Sequence, residues 1–212
     1  MGGPKVEKMK SKRDLAGLVG VIDSSEDRET RVRAIDAAID LVLEDVYETQ
    51  QNIAWSQILA AALATAASRN DDLALQSLTR IVAREFGEKG NFYADTLRTS
   101  ALDGLRTLGS LATPTLIRLL DHEDSGVRMD AASYLGKIGF DTGDTSALRK
   151  LATAGIDENN RSSNRRTRYF VQEECYLAAK NIEGANSDGY NKVLAEMSDD
   201  ERGFLSVYPS DQ

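Results

Sequence analysis

The 212 residues predict an all-α fold of about five irregular helical hairpins. Three observations carry that reading. Apolar residues recur at helical spacing nearly throughout, without alternating β-branched runs or Asn-Gly hairpin signals. The chain holds only three prolines, so little interrupts its helices. The gaps between periodic segments are short and carry turn residues, which sets successive helices side by side and antiparallel. At roughly 40 residues per hairpin the length suits about five of them. A hydrophobic share of 41% rules out wholesale disorder.

Taken in order, the first helix is expected over 12–23. It follows a basic start (Lys5, Lys8, Lys10, Lys12 and Arg13) that reads as a solvated first helix or arm. Ser24-Ser25 ends it, and the next helix spans 28–49. The segment 52–68 contains seven alanines between Ile53 and Ala67. That content suggests close packing on more than one side, with Trp55 as a core anchor. Asn70-Asp71-Asp72 opens a helix over 71–86, and the turn Gly87–Gly90 separates it from 92–109. Thr113 is a good N-cap and Pro114 suits the first position of a helix over 113–121. A turn from His122 to Gly126 leads into 125–139, with Gly139 expected as a left-handed C-cap. Helices over 145–154, 164–182 and 188–197 follow. The apolar helical pattern thus covers residues 1–197 as one domain. The acidic tail 198–212, carrying Phe204, Leu205, Val207 and Tyr208, is expected to cap the last hairpin.

A second-helix pattern recurs within this series. With an arginine as zero, positions +3, +7 and +10 are small or apolar. Arg31 is followed by Ala34, Ala38 and Leu41; Arg98 by Ala101, Leu105 and Leu108. Arg128 is followed by Ala131, Leu135 and Ile138; Arg168 by Val171, Cys175 and Ala178. A small residue at +3 lets neighbouring helices approach. Asp27, Asp95 and Asp124 lie three or four residues before their arginines, where they suit the helix dipole and can pair one turn on. The arginine spacing is uneven, so the repeat is irregular, and 52–86 matches it poorly.

These residues carry a resemblance. Ala112-Thr-Pro-Thr-Leu-Ile-Arg-Leu-Leu-Asp, then Asp124-Ser-Gly-Val-Arg-Met-Asp-Ala-Ala-Ser-Tyr-Leu-Gly-Lys-Ile-Gly, resembles a HEAT repeat of the PBS-lyase HEAT-like kind. Arg98–Gly109 and Arg31–Leu41 match as half-units, and 164–182 matches loosely. The resemblance implies an armadillo-like α-solenoid, a right-handed α-α superhelix whose second helices line a concave groove. It implies a scaffold or adaptor for a protein partner, without chemistry of its own. The groove-facing candidates are Asp103, Arg106, Asp130, Tyr134, Lys137, Gln172, Tyr176 and Lys180. Bilin-lyase subunits and HEAT-like DNA glycosylases are the enzymatic alternatives that the same resemblance brings.

Composition narrows the chemistry. One histidine, His122, and one cysteine, Cys175, cannot build a four-ligand zinc site or an intramolecular disulfide. Deoxyhypusine hydroxylase, a HEAT-repeat iron enzyme, needs several His-Glu pairs; here Met129-Asp130 follows Val127-Arg128, and His122-Glu123 lies in the preceding turn. His122 therefore reads as a turn residue. Cys175 reads as a small core hydrophobe. Asp141-Thr-Gly-Asp-Thr-Ser lacks the closing Glu of a calcium loop and reads as a turn with Asp144 capping the next helix. No catalytic residue, metal or cofactor is expected.

A net charge of −8 disfavours nucleic acid, whose binding draws on a basic field. Asp (20) exceeds Glu (14) and Arg (17) exceeds Lys (9), a bias that adaptation to high salt would also produce. No apolar run is long enough to cross a membrane, and none follows the basic start as in a secretory signal. A cytoplasmic location is the default. The unusual surface segment is 159–170, with Arg161, Arg165, Arg166, Arg168 and Tyr169. A solvated helix start, a protein-binding edge and a nucleic-acid contact all fit that mixture.

Overall fold

A computed structural model describes residues 3–44, 49–83 and 92–207. Among the described residues every regular element is helical. Contacts divide the chain into two compact units, Met1–Leu108 and Gly109–Gln212.

The first unit contains α1 (Gly3–Ser11), α2 (Leu15–Ser24), α3 (Arg28–Leu43), α4 (Thr49–Ser68), α5 (Asp72–Val82) and α6 (Phe92–Thr107). The basic start is a packed helix rather than an arm: Val6 is buried, α1 lies on α3, and Lys10 Nζ reaches Asp40 at 2.6 Å. The alternating lysines hid that single apolar anchor. Asp14, Asp27 and Asp71 cap α2, α3 and α5 through their carboxylates. Such caps each stabilise a helix by about 1 kcal/mol.

α4 contacts α2, α3, α5 and α6, as its alanine content suggested. Ala60, Ala64, Ala66 and Ala67 are buried, whereas Trp55 is only partly so. Gly104 of α6 presses on α4: a Cβ there would stand 3.2 Å from the Ala60 carbonyl oxygen. α3 ends at Leu43, where Glu44 is extended. The expected continuations of α3 toward 49 and of α5 toward 86, and the turn Gly87–Gly90, fall on residues outside the described ones.

The second unit opens with a 3-10 turn (Gly109–Leu111). Then come α7 (Thr113–Leu119), α8 (Ser125–Thr142), α9 (Leu148–Arg161), α10 (Arg165–Ala185), α11 (Ser187–Ala195) and α12 (Asp199–Ser206). α8 and α10 lie side by side, and small residues set their distance. Gly136 faces Ala178, where an added Cβ would come within 2.6 Å of its Cα, and Gly139 faces Ile182. Both contacts advance together, so the two helices run parallel. Gly139 is thus a helix-interior contact rather than the C-cap. The helix continues to Thr142, and Gly143 takes the left-handed position at φ 71°.

Two other turn expectations change similarly. Ala112 holds the N-cap of α7, and Thr113 instead donates its hydroxyl to Asp144 Oδ2 at 3.0 Å. Asp144 accepts from Ser146 N–H at 2.9 Å, ahead of an N-cap occupied by Ala147. α9 continues past 154 because Gly155 is covered by the Phe204 ring, so this glycine fits inside the helix. The residues after 197 form a true helix, α12. Ser198 and Glu201 build a capping box at its start, and Phe204 and Leu205 are buried. Tyr208 lies outside the described residues.

Candidate partner-binding face

The recurring arginine register organises the core. Ala34, Ala38, Leu41, Ala101, Leu105, Leu108, Ala131, Leu135, Ile138, Val171, Cys175 and Ala178 are all buried. Two of the arginines, Arg31 and Arg128, tie turns to later segments. Arg31 Nε donates to the Ile22 carbonyl at the end of α2 (3.1 Å), and its guanidinium pairs with Asp71. Arg128 donates through Nη1 to the His122 and Glu123 carbonyls at 2.8 and 2.7 Å. It grips Glu158 through Nε at 2.9 Å and Nη2 at 2.6 Å. The expected pairing of Arg31 with Asp27, and of Arg128 with Asp124, is replaced. Both aspartates are spent on N-caps, so each arginine reaches an acid 30 or more residues away.

With the core side of α8 and α10 fixed, Asp130, Lys137, Tyr176 and Lys180 are partly exposed, whereas Tyr134 and Gln172 are buried. On α8, Lys137, partly exposed, sets its Nζ 3.8 Å from the centroid of the Tyr134 ring, but Tyr134 itself is buried at 7% exposure; Asp130 lies one turn before it, partly exposed. On α10, Lys180 Nζ lies 5.5 Å from the Tyr176 ring and 5.7 Å from the Tyr190 ring, and pairs with Glu183 at 2.8 Å. The Lys180 ammonium is pulled down by partial burial and, on balance, raised by Glu183 and the nearby tyrosines. It stays charged at neutral pH. Gln172 is buried, and its amide is used on α9, donating to the Gly155 carbonyl at 3.0 Å and to Asn159 at 3.3 Å.

Arg165, Arg166 and Arg168 occupy the first turn of α10, the first two exposed and the third partly so. Arg161 stands apart from them, held by the Leu120 carbonyl at 3.1 Å and Asp121 at 2.9 Å. Asp103 and Arg106 belong to the first unit and are exposed on α6. Asp103 also edges a cavity of about 440 Å³ between α4 and α6, floored by Ala60, Ala64 and Gly104.

Phe170, at the end of the 159–170 surface segment, is exposed, as are Phe140 and Leu177, which the sequence reading did not name. Their signal was present. On α10 the core positions 171, 175, 178 and 182 leave 166, 170 and 177 on the opposite side.

Cys175 is fully buried, and its thiol is pushed up to about 12 by burial, with Glu158 and Glu174 adding to it. His122 Nδ1 accepts the Asp124 backbone N–H at 3.0 Å. Among the described residues no cluster of three His, Cys, Asp or Glu could hold a metal ion, and no helix is long and apolar enough to cross a membrane.

Residues 94–165, from α6 to the first residue of α10, match the family model for HEAT repeats, as the sequence resemblance implied. No curated protein matches the chain.

Proposed function

We propose that this chain, which carries HEAT repeats over 94–165, is a non-catalytic scaffold that binds a protein partner along the outer faces of its second helices. The observation that supports this reading most is on α10, where partly exposed Lys180 lies over partly exposed Tyr176; on the parallel helix α8, Lys137 is partly exposed above a buried Tyr134. A tyrosine held by a neighbouring cation offers a stiff, amphipathic contact surface. Such side chains lose little entropy on binding and recur at interface hot spots. Asp130 adds an acceptor on the same helix as Lys137. Asp103 and Arg106 on α6 are the matching candidates in the first unit. A cytoplasmic setting belongs to this reading too, because a single buried thiol suits a reducing compartment.

The test is affinity capture from the source lysate with quantitative mass spectrometry. Wild type is compared with Lys137→Glu/Lys180→Glu and with Arg106→Glu. The expected result is a defined set of proteins held by wild type and lost from the double variant. Recovery unchanged in both variants would remove the second-helix face as the binding surface.

A further inference from the structure

We propose that the first three turns of α10 form a docking site for an acidic segment of a partner protein that carries a large apolar side chain just beyond its acids. This gives the partner of the scaffold reading a chemistry, and it rests on that reading.

The first observation is electrostatic. The chain carries 34 acidic residues against 26 basic ones. Several of its arginines are spent on acids: Arg31 on Asp71, Arg69 on Asp23, Arg80 on Asp36, Arg128 on Glu158 and Arg161 on Asp121, while Arg118 and Arg149 bind a hydroxyl and a backbone carbonyl. Arg165, Arg166 and Arg168 differ. Among the described residues none of the three meets a carboxylate. Arg165 and Arg166, exposed at the start of α10 and unmatched in an acid-rich chain, make a local positive patch, with Arg168 partly exposed beside them. The helix end itself is already satisfied, because Asn164 Oδ1 accepts the N–H groups of Arg166 and Thr167 at 3.0 and 3.3 Å. Recognition therefore falls to the side-chain forks, which take carboxylates in bidentate fashion.

The second observation is apolar and lies on the face of Arg166, whereas Arg168 sits at the register position that leads into the core side. Phe170 and Leu177 are 40% and 41% exposed, four and eleven residues after Arg166. The Arg166 guanidinium rests 5.6 Å from the Phe170 ring, and Tyr169 meets that ring edge-on at 5.9 Å. Phe170 is thus held in place while still open to solvent. From Arg166 to Leu177 the ridge runs about 16 Å at the helical rise. That length suits a short segment, acids first and an aromatic or aliphatic side chain after them.

A nucleic acid fits the ridge less well. Duplex DNA carries one charge per about 1.7 Å and is gripped by extended basic surfaces. Here the positive patch covers one turn, and Glu173 and Glu174 follow one turn later. A net charge of −8 repels a long polyanion. A short acidic segment feels mainly charges within a Debye length of about 8 Å at physiological salt.

The test is fluorescence anisotropy on the full chain. The probe is a labelled peptide of four alternating Asp and Glu residues followed by Phe, two Ser and Leu. Controls are the same peptide with Lys replacing the acids, and oligothymidylate of equal charge. Saturable binding of the acidic peptide is expected, weakening with salt. Affinity should fall about tenfold or more in Arg165→Glu/Arg166→Glu, whose exposed positions spare the fold. Phe170→Ser should weaken it by a few-fold, while the lysine peptide fails to bind. The proposal is overturned if wild type shows no saturable binding, if the two reversals leave it unchanged, or if oligothymidylate binds more tightly than the peptide. Loss of capture in Lys137→Glu/Lys180→Glu is read separately. Peptide failure with that loss intact removes only the acidic-segment assignment, whereas unchanged capture removes the scaffold face.

Discussion

Replacing Glu158 with leucine should destabilise the second unit by about 3–5 kcal/mol, the usual cost of leaving one buried ion without its partner. Its side chain is 1% exposed and that of Arg128 is 5% exposed, so water cannot take over the freed guanidinium. Two charge-assisted bonds, at 2.6 and 2.9 Å, disappear. The His122 and Glu123 carbonyls still hold Nη1, but they carry no compensating charge. Adding Arg128→Met removes the stranded cation. It also frees the two turn carbonyls, each worth about 1 kcal/mol. Two packed apolar side chains return part of that loss, so the double variant should lie within about 2 kcal/mol of wild type. Urea unfolding followed by far-UV circular dichroism measures all three chains. Trp55 fluorescence follows the first unit alone. A Glu158→Leu cost below about 1 kcal/mol would refute the reasoning, as would a double variant less stable than the single one.

Further outcomes follow from four single sites. Gly139→Ala should cost about 1–3 kcal/mol, because the new methyl group meets Ile182. Gly184→Ala, inside α10 with open space around it, should gain about 0.5–1 kcal/mol; equal effects in thermal unfolding would contradict the parallel contact of α8 and α10. Cys175 should resist thiol reagents at pH 8 until the chain unfolds. Raising its thiol from 9.0 to about 12 also means that its stabilising contribution, full below pH 9, fades as pH climbs toward 12; rapid labelling of the folded chain would exclude the buried placement. Asp121 is pushed up by partial burial. Hydrogen bonds from Lys150 and Arg161 outweigh that, holding its carboxyl below the ordinary 3.8. Its contribution is complete above that value and disappears as pH falls through the lowered one. Asp121→Asn should therefore differ from wild type at pH 7 and converge with it in strong acid, as pH-dependent urea midpoints would reveal.

The buried face of the second helices was readable because it depends on period alone. Every +3, +7 and +10 position is in the core, whatever its neighbours. Contacts between distant segments were not readable. Asp27 and Asp124 look like partners for Arg31 and Arg128, yet a backbone N–H one turn away competes for the same carboxylate. The caps prevail, and the arginines turn to Asp71 and Glu158. Gly139 shows the same limit. A glycine after a core position signals a helix end unless another helix presses on it, and Ile182 supplies that pressure. The capping box Ser198–Glu201 was legible, but the acidic run around it read as tail. At the candidate face, Tyr134, Lys137, Tyr176 and Lys180 were named from the repeat resemblance, which did not show that Tyr134 is buried. Phe170 lay at the end of the 159–170 surface segment, but Leu177 carries no signal beyond its place opposite the core positions of α10.

The family match and the folded units are out of phase. Residues 94–165 begin on α6, inside the first unit, and stop at the first residue of α10. A piece cut to those limits would keep Arg128 and Glu158. It would lose Val171, Cys175, Ala178 and Ile182, the side chains that fill the core from α10. Gly136 and Gly139 would face solvent instead of Ala178 and Ile182, and Gly155 would lose the Phe204 ring. Anyone trimming this chain for binding work should cut where cohesion changes, at Leu108–Gly109, and carry the C-terminal helices through α12. The motif locates the ancestry of the segment, while the glycines mark what has to travel with it.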